Sequence, residues 1–181
     1  KIDTKRDPVW EYTVLEDSQR RVEIFERQGW LKGNSEHKKN QVRRRYMLVG
    51  QTLDSTRVME LKQTLESLMG KSDISNRNLR VEANGTMAVN AIYAGLLMEG
   101  NDGPLETLSF HLTNLPASHM QGPDYLNVMK MTRLDESLAA LSRRFKVTVE
   151  NSPRTLQEFS AALTDTLGQE ASRLTWMNPN Q

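Results

Sequence analysis

Two hydrophobic periods take turns along this chain, and that exchange constrains its fold more than any other feature. From Asp54 to Gly70, Val58, Leu61, Leu65, Leu68 and Met69 recur at three- and four-residue intervals, while Arg57, Lys62 and Glu66 fall on the other side. The spacing predicts an amphipathic helix with Asp54 as its N-cap and Gly70 as a left-handed stop. Such a stripe is most simply a core face. Beyond it the period changes to two: Leu79, Val81 and Ala83 alternate with Arg80 and Glu82, and Leu108, Phe110 and Leu112 alternate with Thr107, Ser109 and His111. Both stretches read as strands with one buried face.

The exchange continues toward the C-terminus. Leu134, Leu138, Leu141 and Phe145 form a helical stripe behind Thr132 and Asp135, which resemble a capping box with a shorter acid. "RFKVTVE" alternates again, and Ser152-Pro153 opens a last helix faced by Leu156, Phe159, Leu163 and Leu167. Near the N-terminus Trp10, Tyr12 and Val14 alternate as a short strand, and Ser18 caps an expected helix ending at Gly29, with Val22, Phe25 and Trp30 inward. Residues Lys32 to Gln41 offer little to bury and read as an exposed loop or arm. Tyr46, Leu48 and Val49 suit a strand after it, and the same reading extends to Leu126 and Val128.

Between the two central strands, Gly100-Asn101-Asp102-Gly103-Pro104 separates apolar runs and reads as the turn of a hairpin. A hairpin argues against an all-parallel doubly wound sheet. The expected fold is therefore α+β: a mainly antiparallel sheet packed against three or four helices, one domain over residues 1–181 with residues 32–41 as an exposed basic loop. A length of 181 residues supports one core, and only 37% apolar residues keep it modest.

Several chemistries lack their residues. With no cysteine there is no disulfide, thiolate zinc site or cysteine nucleophile, and a reducing, intracellular setting (cytoplasmic or nuclear) fits best. His37, His111 and His119 form no helical H-x-x-x-H pair, so no metal site is expected. There is no G-x-S-x-G, and Ser109 and His111 stand side by side on one strand face rather than as nucleophile and base. Gly70-Lys71-Ser72 copies the end of a phosphate-binding loop, but Leu65 stands where its first glycine belongs, and the segment closes a helix instead of opening one. No catalytic residue and no cofactor is assigned. No stretch is apolar enough to span a bilayer. "KIDTKRDPVW" lacks the apolar core of a signal peptide and reads as a trimmed start. Asn84-Gly85-Thr86 matches the glycosylation pattern, most simply by chance.

The remaining signal is charge. Net charge is +1, yet residues 1–50 carry +4 against −1 for 51–100 and −2 for 101–181. Lys38, Lys39, Arg43, Arg44 and Arg45 concentrate it in eight residues, and segregation of this kind suggests an anionic partner. Guanidinium groups grip phosphate with two hydrogen bonds and stack on bases, and Tyr46 adds an aromatic neighbour, unless it is simply the first core residue of a strand. Arg143, Arg144 and Lys146 form a second basic patch. Cations in a last helical turn also complement the helix dipole without any ligand. The expectation is a non-enzymatic protein that binds RNA or single-stranded nucleic acid through these residues, alone or as a homo-oligomer. The alternative is a self-associating structural protein of the viral matrix or scaffold kind. Its methionines Met120, Met129 and Met131 would supply an adaptable contact surface, and its basic loop would meet anionic lipid or a protein partner.

Overall fold

The computed structural model describes residues 10–14, 20–24, 35–70, 78–99, 107–166 and 173–177. In chain order these form β1 (Trp10–Val14), β2 (Arg20–Ile24), α1 (Glu36–Leu48), α2 (Leu53–Met69), β3 (Leu79–Asn84), α3 (Thr86–Leu96), β4 (Leu108–Thr113), a 3-10 turn (His119–Gln121), α4 (Val128–Met131), α5 (Leu134–Arg144), β5 (Lys146–Glu150), α6 (Arg154–Thr166) and β6 (Leu174–Met177). The strands lie in one sheet in the order in which the chain makes them. β2 through β6 pair in parallel, and among the described strands only β1 joins its neighbour antiparallel, at one edge.

This overturns the mainly antiparallel α+β fold expected from the sequence: the architecture is α/β. The reason is α3. Between β3 and β4 the chain does not stay in the sheet but crosses over through an eleven-residue helix, which returns it parallel to β3. The glycine-rich segment read as a hairpin turn, Gly100 to Pro104, lies outside the described residues.

Because each crossover steps to the next strand in the same direction, the right-handed rule places successive helices on one face. Accordingly α2 packs on α3, α3 on α5 and α5 on α6. Beneath them Leu79, Val81, Leu108, Phe110, Leu112, Val147 and Val149 are buried almost completely. The register sets Val81 beside Phe110 and Phe110 beside Val147. Each such side chain, fully buried, contributes about 1.5–3 kcal/mol. Phe110 meets Phe145 edge to face, with ring centroids 5.2 Å apart.

The opposite face of β3 to β5 carries Arg80, Glu82, Ser109, His111, Thr148 and Glu150, all half-buried. His111 accepts a hydrogen bond at Nδ1 from the Arg80 guanidinium and pairs through Nε2 with Glu150 at 3.0 Å. It is a satisfied strand histidine.

Other local expectations also shift. The expected helix after Ser18 is a strand, β2, over Arg20–Ile24. Residues 36–41 of the expected loop, and the strand expected after it, belong to α1. α2 is capped by Thr52, not Asp54: Thr52 Oγ1 accepts from the Ser55 amide at 3.0 Å, and Ser55 Oγ accepts from the Thr52 amide at 2.9 Å. Gly70 ends that helix with an ordinary right-handed φ of −74°. Val128 starts a short helix rather than a strand.

Candidate binding surface at the carboxyl end of the sheet

In open parallel sheets, ligands meet the crevice outside the carboxyl ends of the strands. Here that edge is built from the turn leaving β3, the segment 119–130 and the first turn of α2. It encloses a cleft of about 900 Å³, with α1 forming one wall through Val42, Arg43 and Met47.

Asp54 fastens the floor of the cleft. Its Oδ1 accepts from Arg57 Nη1 at 2.9 Å, and its Oδ2 accepts from the Asp124 amide at 2.9 Å. Asn90, wholly buried on α3, donates to the same carboxylate at 3.5 Å and accepts the hydroxyl of Tyr125. Burial pushes the Tyr125 phenol far above its ordinary range, so it remains a hydrogen-bond donor. Three separate parts of the chain are thereby tied at one point.

The second polar knot lies behind His119. Tyr93 Oη stands 3.1 Å from His119 Nε2 and 3.0 Å from Ser137 Oγ. His119 is 8% exposed, and among the described residues its Nδ1 has no partner. Burial lowers its pKa, opposed by the nearby Asp135 carboxylate, and so keeps the ring neutral near pH 7. Arg133 holds that carboxylate through Nε at 3.1 Å and Nη2 at 2.8 Å.

The turn from β3 into α3 is a sharp one: Gly85 adopts φ 58°, ψ −126°, with open space where a Cβ would stand. A strand-to-helix turn of this kind can present a nucleophile. At its apex this chain has a residue with no side chain. Among the described residues no three histidine, aspartate or glutamate side chains cluster as metal ligands, and no helix is long and apolar enough to cross a membrane.

The basic cluster lies on α1, a helix built from good formers (Glu, Lys, Gln, Arg, Met, Leu), with Arg45 in the last turn where it complements the dipole. Val42 and Tyr46, four apart, make its half-buried stripe. Lys38, Arg43, Arg44 and Arg45 are exposed, and among the described residues no carboxylate pairs with the three arginines. By helical spacing Lys39 and Arg43 are neighbours, Lys38 and Arg45 share the other flank of the stripe, and Arg44 lies opposite it.

The second patch is elsewhere. α1 borders the carboxyl-end cleft, whereas Lys146 opens β5 at the amino end of the sheet. Arg143 is exposed, but Arg144 donates to the Met98 carbonyl at 3.1 Å and lies over the Phe145 ring. The structure therefore does not bring the two patches together. Sequence reasoning missed Asp54 as a hub and His119 as a cleft residue. Their partners are up to 70 positions away, and no local spacing announces them. No family model matches this chain, and neither a curated protein nor a solved structure does.

Proposed function

We propose that this chain is a non-enzymatic module that binds RNA or another single-stranded nucleic acid along α1. The observation that carries the reading is the run Arg43-Arg44-Arg45, exposed on a helix that buries little of itself and without a carboxylate partner among the described residues. A helix polar nearly all round gains little from the core, so its charged faces are available to something outside the fold. Lys38, Lys39 and Tyr46 complete the surface. Arg143, Arg144 and Lys146 stand outside it, at the amino end of the sheet. An intracellular setting accords with this reading.

A second reading, a scaffold that associates with itself or with a protein partner, is favoured by one observation. Leu48, Met120, Met129 and Met131 are between 63% and 86% exposed around the same end of the molecule, a flexible apolar fringe of the kind that adaptable interfaces use.

Titration of labelled single-stranded RNA across a salt series separates the two. RNA binding should weaken steeply with salt, and changing Arg43, Arg44 and Arg45 together to alanine should reduce the log–log slope by about 2, at roughly 0.7 per phosphate contact. Salt-insensitive binding, or an unchanged slope in the triple variant, overturns the proposal. Binding of anionic vesicles without RNA, or mass increasing with concentration, turns the assignment to the second reading.

A further inference from the structure

We infer that the carboxyl-end cleft is a site for a small organic anion, one with a carboxylate or phosphate-ester head and an apolar body, and that it shares Arg43 with the surface proposed for nucleic acid. The inference does not depend on α1 binding nucleic acid. Five observations converge on it.

The cleft's volume of about 900 Å³ falls in the range of small-ligand sites. Its charge is not neutral: Arg43, Arg57 and Lys130 line it against Asp54 and Asp124, leaving one positive charge over. Asp54 is already engaged by Arg57 and the Asp124 amide, so it does not repel an incoming anion as a bare carboxylate would. Arg43 and Lys130, from α1 and α4, remain exposed and without a carboxylate partner among the described residues.

The eleven-residue α3 begins at the cleft with Thr86, and its N-cap Gly85 supplies no capping side chain; the Gly85 amide donates to the Thr113 carbonyl and the Ala88 amide to the Gly85 carbonyl, which leaves the Thr86 and Met87 amides for an external acceptor. Independently, His119 lines the same cleft and is more than nine-tenths buried, and among the described residues its Nδ1 has no partner. A buried polar atom with nothing to bond is uncommon and calls for a missing partner. Met47, Met120 and Met129 supply the apolar part of the wall, with side chains that adapt to varied shapes.

The test uses phenyl phosphate and phenylacetate as probes, with inorganic phosphate and benzyl alcohol for the head and the body alone. Binding is followed by amide resonances and by the ring nitrogens of His119. The expected result is that both aromatic anions shift the Thr86, Met87 and His119 signals, and that each binds more tightly than either half. Changing Lys130 to alanine should weaken phenyl phosphate about fivefold, the size of one exposed ion pair, and leave RNA affinity unchanged. Changing Arg44 and Arg45 to alanine should do the reverse. Benzyl alcohol binding as tightly as phenyl phosphate, silence of the His119 ring signals at millimolar probe, or a Lys130→Ala protein with undiminished affinity overturns the inference. Loss of RNA binding alone does not affect it.

Discussion

The Tyr93 hydroxyl lies 3.1 Å from Nε2 of His119, so one phenol on α3 positions an imidazole contributed by the 119–121 turn. The same hydroxyl reaches Ser137 on α5, and burial raises the Tyr93 pKa. The pair is thus a neutral hydrogen bond between two elements that the helix layer packs side by side.

From this follows a pH dependence. Burial holds the His119 pKa below its ordinary 6.5. As pH falls through that value the unfolded chain takes up a proton that the folded ring refuses, so stability falls until the folded pKa is reached. Well above 6.5 the histidine adds no such slope. Urea midpoints measured from pH 8 down to pH 5 should fall more steeply for the native protein than for His119→Gln. Equal slopes in the two proteins would show that another group is responsible.

Gly95 makes a sharper test of packing. A Cβ at this position on α3 would stand 2.7 Å from Leu141 Cδ1 and 2.8 Å from Phe110 Cζ. Alanine is about 1 kcal/mol better than glycine inside a helix. Overpacking a rigid core costs typically 1–3 kcal/mol, and Leu141 and Phe110 are both buried with little room to yield. The clash should win: Gly95→Ala is expected to lower unfolding free energy by about 1 kcal/mol, read from denaturant curves. A stabilised variant would mean that the helix and sheet separate more easily than their contacts imply.

At the ends of three adjacent strands stand Asn84, Asn114 and Asn151. Asn114 Nδ2 donates to Asn84 Oδ1 at 3.3 Å, and Asn151 donates in turn to Asn114. Asn114 and Asn151 take φ of 52° and 49°, the left-handed region that asparagine and glycine tolerate best. Replacing Asn114 by alanine should cost about 1–2 kcal/mol. Replacing it by glycine, which also lacks the amide but not the conformational freedom, should cost less. Thermal unfolding of both variants checks the order, and the reverse order would assign the effect to the amide chain.

How legible this was in the sequence depends on what surrounds each element. α2 and α5 have one wet side and one dry side, so their stripes show at once, and Val147 and Val149 announce β5 in the same way. α3 has no such contrast: Ala88, Val89, Asn90, Ala91, Ile92 and Ala94 are all 0% exposed. A helix buried on every side reads as a plain apolar run, which periodicity cannot distinguish from strand. Missing it turned a crossover into a hairpin, and parallel into antiparallel. α1 failed for the opposite reason, because a helix with almost no buried face carries no stripe to find. Its cations were visible as a cluster all the same. The cleft was not, since Asp54, His119 and Tyr125 become neighbours only when α2, α3 and the 119–130 segment meet.

The succession of strands across the sheet bears on how the chain comes into being. From β2 onward each strand docks beside the one synthesised just before it, so no strand must wait for a distant later segment to find its neighbour. A nascent polypeptide leaving the ribosome can extend the sheet one βα step at a time. Such an order favours progressive assembly over a late, all-at-once search.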